Sequence, residues 1–302
     1  MMSTSLPQAV PVLSERRHPA REFITQLFLR KPLGAFGGTL LFLLVVVAVF
    51  ADIIAPFGLN DVDPISAMQR PSLTNLFGTD QLGRDVFTRI VYGARISVII
   101  AISAALLGLL ISVVLGVVAG YFGGKIDSAT QRFVDAWMSF PDLIVLIVGV
   151  SVLGTGMGQL IVLLALLYGI SGSRIVRGSV LSAREHLYVH AGHSFGATDW
   201  HVIRVHILPT IAAPLIVLFT TRLGAVILAE SSLSFLGLGV PPPAPTWGGM
   251  LSGSRSYMFQ NPWLVVAPGL AITLVVYSVN IFGDALRDLL DPRQRGQSGR
   301  IS

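Results

Sequence analysis

The chain of 302 residues contains no cysteine. Disulfides, a thiolate nucleophile and any cysteine-ligated zinc site are therefore excluded. Charge is also scarce: Asp, Glu, Lys and Arg make up 12% of the residues, about half the ~25% typical of a soluble domain. What fills their place is apolar, with 53% hydrophobic residues and a mean hydropathy of +0.73. This balance points to a chain embedded in a lipid membrane. The formal charge is +5 and the pI about 10.0. The basic residues flank apolar runs, so they read as orientation signals and not as a phosphate-binding face, and no nucleic-acid partner is expected.

A helix needs about 20 apolar residues to cross about 30 Å of hydrocarbon. Six candidate spans are present, at about 33–55, 94–119, 133–153, 158–176, 209–236 and 263–287. The first is too long for a signal-peptide core and reads as a retained membrane helix. The runs do not alternate as barrel strands do. Each must satisfy its own backbone hydrogen bonds, so the predicted fold is an all-α bundle. Fifteen of the 21 Lys and Arg residues fall before residue 32, in 120–132, in 174–208 and in the tail. These segments share the cytoplasmic side under the positive-inside rule. The expected organisation is a cytoplasmic arm (1–32), the first span (33–55), an outer loop (56–93), a five-helix core (94–288) and a cytoplasmic tail (289–302), with both termini inside.

Several stretches invite chemical readings. "GYFGGKI" around Lys125 fails the phosphate-loop pattern, because Ala119 and Ile126 stand where Gly and Ser or Thr are required. His186, His190 and His193 are spaced i, i+4, i+7, one face of a helix. Few acids are in register and Arg184 is adjacent, so a surface set of imidazoles is favoured over a bound metal, and no catalytic pairing follows from the spacing. Arg222 and Glu230 lie two turns apart in the fifth span as substrate-path candidates. For Glu230 the alternative is a structural partner to a neighbouring helix. Asp135 and Asp142 flank "AWMSFP" and read as interfacial caps or pairs. In the outer loop, Asp80–Arg84 and Asp85–Arg89 are i, i+4 acid–base pairs that predict an amphipathic surface helix. It would anchor at the membrane surface or contact an extracytoplasmic partner through Asp80, Arg84 and Asp85. Gly108, Gly116, Gly120 and Gly124 form a small-residue ladder suited to close helix contact.

The segment 179–208 reads as two short helices on the cytoplasmic side, turned at Gly196 and capped by Thr198 or Asp199. Its sequence resembles the "EAA" loop of bacterial ABC importer permeases: Glu-Ala-Ala, three residues, Gly, nine residues, then Ile-x-Leu-Pro. His190, Ala191 and Gly192 occupy the first triplet, Gly196 the glycine, and Leu208 and Pro209 the end. His190 replaces the Glu, Gly192 the second Ala and His206 the Ile. Longer stretches are similar to the C-type permease of the dipeptide/oligopeptide/nickel importers. They are "FGTDQLGRDVFTRIVYGARIS" (77–97), "AGYFGG" (119–124), "APLIV" (213–217), "AVILAESSLSFLGLG" (225–239), "PPPAPTWGGML" (241–251) and "GDALRDLLDPR" (283–293).

The resemblance implies a type I ABC importer permease in the bacterial inner membrane. It implies a second related permease, two ATP-binding subunits and an extracytoplasmic substrate-binding protein as partners. No enzymatic activity or cofactor is expected in this chain; ATP and magnesium would sit in the partner subunits. A coupling helix at about 186–206, with Asp199 included, would contact the ATPase. The expected cargo is a dipeptide or oligopeptide. A nickel complex, glutathione or an opine is the alternative, and an ion-coupled carrier a more distant one.

Overall fold

The computed structural model describes Thr25 and residues 27–290. The expected cytoplasmic arm up to residue 24, and residues 291–302 of the tail, lie outside them. The described residues are mostly helical, with an isolated bridge between Thr79 and Asp85 and no extended strand. Five helices are long and apolar enough to cross a membrane: α1 (Pro32–Val49), α3 (Val86–Phe122), α6 (Met157–Arg184), α9 (Ala212–Phe235) and α11 (Trp263–Leu290). Between them lie α2 (Ala51–Ile54), α4 (Gly124–Met138), α5 (Asp142–Leu153), α7 (Leu187–Ser194), α8 (Asp199–Val202) and α10 (Trp247–Ser254).

Three expectations need correction. The third span is not one straight helix: α4 and α5 meet at 89°. Pro141 lacks an amide hydrogen and clashes with a continuing helix, so the chain breaks at Ser139–Pro141. The apolar α5 has 12 residues, about 18 Å at 1.5 Å each, too short to cross alone; the bent pair is a broken span or a re-entrant loop. An even number of crossings, which puts both termini inside, counts the pair as one. Second, residues 77–85 are not helical. They form a tight turn, and α3 begins at Val86 with Asp85 as its N-cap, accepting from the Thr88 amide. Gly83 holds φ +74 with its α-carbon against the Asp63 carbonyl, where a Cβ would lie 1.8 Å from the oxygen. Third, His186 is not on the α7 face. It is the extended residue before the helix, so the three imidazoles do not line up.

The centre of the bundle is the α3–α6 pair. Gly108, Gly116 and Gly120 of α3 press on α6 backbone: a Cβ on Gly116 would sit 2.8 Å from the Ser173 carbonyl oxygen and 2.6 Å from Val176 Cβ. Gly169 and Gly172 return the contact, and the Ser112 hydroxyl donates to the Gly169 carbonyl at 2.8 Å. Removing the Cβ lets helix backbones touch, the packing mode of small residues in membranes. Gly124 does not belong to this ladder, since it follows the break at Gly123 and faces open space. The amphipathic α4 is fastened to α6 by paired charges. Asp127 takes both the Nε and Nη2 hydrogens of Arg177 at 2.5 Å, and Asp135 pairs with Arg174. At the other end of α3, Arg95 donates to the carbonyls of Ala48 and Val49 and pairs with Asp52 at 2.9 Å. It satisfies the last carbonyls of α1, which no helix can satisfy for itself.

Candidate functional site

The segment 186–208 packs on the ends of α3 and α6. Val189, Val202, Ile203 and Ile207 are buried against Val117, Tyr121, Val176, Val180 and Ala183. The two helical pieces are joined by a C-cap turn of defined geometry. The Ala197 amide donates to the Gly192 carbonyl and the Gly196 amide to the His193 carbonyl, with Gly196 at φ +80. This is the Schellman arrangement, which needs a left-handed residue where a side chain is disfavoured. Thr198 then caps α8, accepting from the His201 amide. Gly192 faces His206 and Val202, and an added Cβ there would lie in ordinary van der Waals contact at 3.6–3.8 Å.

That segment, Ile203–Ile207, is a π-turn leading into Leu208–Thr210. Pro209 cannot donate the usual hydrogen bond four residues back, and the widened turn carries the chain past it. Leu208 is half-buried and Pro209 exposed.

Spacing in the sequence did not reveal one connection. The Tyr121 hydroxyl, at the end of α3, donates to Asp199 Oδ1 at 2.9 Å and lies 3.2 Å from His193 Nε2. Arg184 Nη1 adds a bond to the Tyr121 carbonyl at 3.0 Å. Asp199 is thus tied to the bundle through Oδ1 while the residue itself stays exposed. His190 and Ala191 remain exposed. Beside them stands an apolar set: Leu187 is 86% exposed, Phe195 91% and Trp200 69%. Side chains of this size on a polar cytoplasmic surface mark a place another protein covers.

In the fifth span, Arg222 is half-buried, its guanidinium 5.2 Å from the centre of the Tyr168 ring and its Nη2 3.4 Å from the Ser171 hydroxyl. It borders a small cavity with Gly108, Ser112, Leu218 and Phe219. Glu230 is 1% exposed and does not meet Arg222. Its Oε1 accepts from Ser234 at 2.6 Å, beneath the point where Gly248 of α10 presses on the Ser231 carbonyl. Trp247 locks α10 in place by donating to the Ile90 carbonyl at 3.1 Å. On the outer turn, the Asp80–Arg84 pair forms at 2.7 Å, although in a turn and not a helix. The expected Asp85–Arg89 pair does not form. Asp85 caps α3 and accepts from Asn75, while Arg89 turns toward Asp80 at 3.7 Å. Asp80 and Asp85 are buried.

The chain matches the profile of the family described as "Binding-protein-dependent transport system inner membrane component" over residues 112–296. It belongs to that family. Residues 21–71 match the N-terminal membrane domain of oligopeptide transport permease C. The glutathione transport system permease protein GsiD of Pectobacterium atrosepticum is 38% identical over 287 residues, 94% of this chain and 95% of the relative. The dipeptide transport system permease protein DppC of Alkalihalophilus pseudofirmus is 38% identical, covering 92% of this chain and 91% of the relative. In three dimensions the chain shares the fold of a chain from the inward-facing MetNI methionine ABC transporter. The TM-score is 0.56 at 18% identity, over 67% of this chain and 96% of the other. The protein is therefore a multi-pass permease subunit of an ABC importer of the peptide family, placed in the inner membrane and not itself an enzyme. Importers of this kind act with an ATPase and a substrate-binding protein.

Proposed function

We propose that this chain forms half of the translocation path of an ATP-driven importer of short peptides. A second related permease supplies the other half, and two ATP-binding subunits hold ATP and magnesium at the cytosolic end. A binding protein delivers cargo from outside. The relatives named for dipeptide and glutathione transport support a small peptidic solute. Arg222, beside its cavity in the fifth span, is the path residue the geometry favours, and Glu230 braces α10 from beneath.

The observation that carries the coupling role is the α7–α8 finger. Its apolar inner face is fixed to α3 and α6, while Leu187, Phe195 and Trp200 stand clear of the protein. Movement of a partner gripping those side chains reaches the α3–α6 seam without passing through a flexible joint. ATP-driven closure shifts the bundle only if it binds one conformation better than the other, and this finger is where that difference enters. In proteoliposomes holding the full complex, Phe195→Asp should cut peptide uptake at least about tenfold while the chain stays inserted. Wild-type uptake by Phe195→Asp would refute the coupling role.

A further inference from the structure

The outer turn leaves one of its two guanidiniums short of acceptors. Asp80 Oδ1 accepts from the Leu82 and Arg84 amides at 2.9 and 3.0 Å. Its Oδ2 is left to serve two guanidiniums, Arg84 Nε at 2.7 Å and Arg89 Nε at 3.7 Å. The Asp85 carboxylate forms no ion pair with either arginine and accepts from the Thr88 amide and the Asn75 side chain. Arg89 is only 8% exposed, and its Nη1 has no acceptor. A buried guanidinium hydrogen without a partner is costly.

The same two arginines wall a half-enclosed pocket between the turn and α10, with Gln81, Gly249 and Gly253 opposite. Neither glycine presents a side chain to fill it, and Gln81 Nε2 lies 3.7 Å from where a Cβ on Gly253 would be. Asp80 is the single acid on its wall.

We propose that this pocket is a carboxylate-binding site at the outer mouth of the permease, with Arg84 and Arg89 as its donors. A guanidinium pairs with a carboxylate through two parallel hydrogen bonds, a geometry that suits this group above other anions. The three charged side chains of the pocket are about one-tenth exposed, at 9–13%. Donors this deeply set are reached by a small group such as a terminal carboxylate and not by the face of a protein. The solute class rests on the peptide-import reading above, because a short peptide presents such a carboxylate as it leaves a binding protein. The pocket would hold that end while the rest of the solute enters the bundle.

The test uses the purified full transporter in nanodiscs without its binding protein. Its thermal midpoint is followed against dialanine, dialanine amide, sodium acetate and sodium chloride at constant ionic strength. Dialanine and acetate should raise the midpoint; the amide and chloride should not. Arg89→Gln should raise the half-saturating concentration about tenfold or more, with Arg89→Lys between. Arg84→Gln should show the same loss and serves where Arg89→Gln does not assemble. Equal responses to acid and amide, equal responses to acetate and chloride, or an unchanged half-saturation in a folded Arg89→Gln or Arg84→Gln complex would overturn the site. Uptake of labelled dialanine into proteoliposomes with the binding protein is measured separately. A carboxylate response without uptake would remove the peptide cargo and leave the pocket standing.

Discussion

The α3–α6 seam makes a prediction in which two similar substitutions differ in sign. Gly116 and Gly178 both belong to the two helices of the seam. An added methyl on Gly116 would lie 2.6 Å from Val176 Cβ and 2.8 Å from a carbonyl oxygen that cannot move without bending α6. On Gly178 the same methyl would meet nothing within 4 Å. Overpacking of the first kind costs about 1–3 kcal/mol, whereas glycine to alanine at an open helical position gains up to about 1 kcal/mol. The two variants should therefore separate by about 1–4 kcal/mol, the sum of these terms. Thermal unfolding of the purified complex in detergent reads the difference directly. Gly116→Ala should unfold several degrees below the wild type, and Gly178→Ala at or above it. If both shift the same way by the same amount, the helices do not meet backbone to backbone at Gly116.

Two further outcomes follow from the site. Tyr121→Phe removes the bond to Asp199, a charged acceptor, worth about 1 kcal/mol after allowing for the exposed carboxylate's access to water. ATP hydrolysis should persist while uptake per ATP falls, and an unchanged ratio would show that the link does not transmit motion. Glu230→Ala strips the Ser234 hydroxyl of its partner beneath α10 and should lower membrane abundance by immunoblot. Glu230→Gln keeps an acceptor and should retain most of it, and equal abundance of both would count against the bracing role.

The spans were legible because hydrophobic length is a direct physical demand of the bilayer, and the Gly108–Gly120 ladder because a missing Cβ every fourth residue has one use in a membrane helix. The break in the third span was signalled by Pro141, which outweighs the apolar count on either side. The outer turn misled the helical reading because an i, i+4 acid–base pair forms equally well across a tight turn. Gly78 and Gly83, both at positive φ, were the signal against a helix there. The histidines misled for a related reason: their spacing fits one helical face only if His186 is inside the helix, and it is the residue that begins it. The Tyr121–Asp199 bond joins residues 78 apart, and the Asp127–Arg177 pair residues 50 apart. No local pattern encodes either, because each joins segments that only the tertiary packing brings together.

The bare tip of the α7–α8 finger also bears on how such a subunit is kept in proportion to its partners. A copy inserted into the membrane without a cytosolic neighbour displays Leu187, Phe195 and Trp200 to the cytosol as an uncovered greasy knuckle. Chaperones and membrane proteases select for that kind of surface. If the neighbour covers these side chains, copies made without it should be removed faster, and a pulse-chase with and without that neighbour would read the difference.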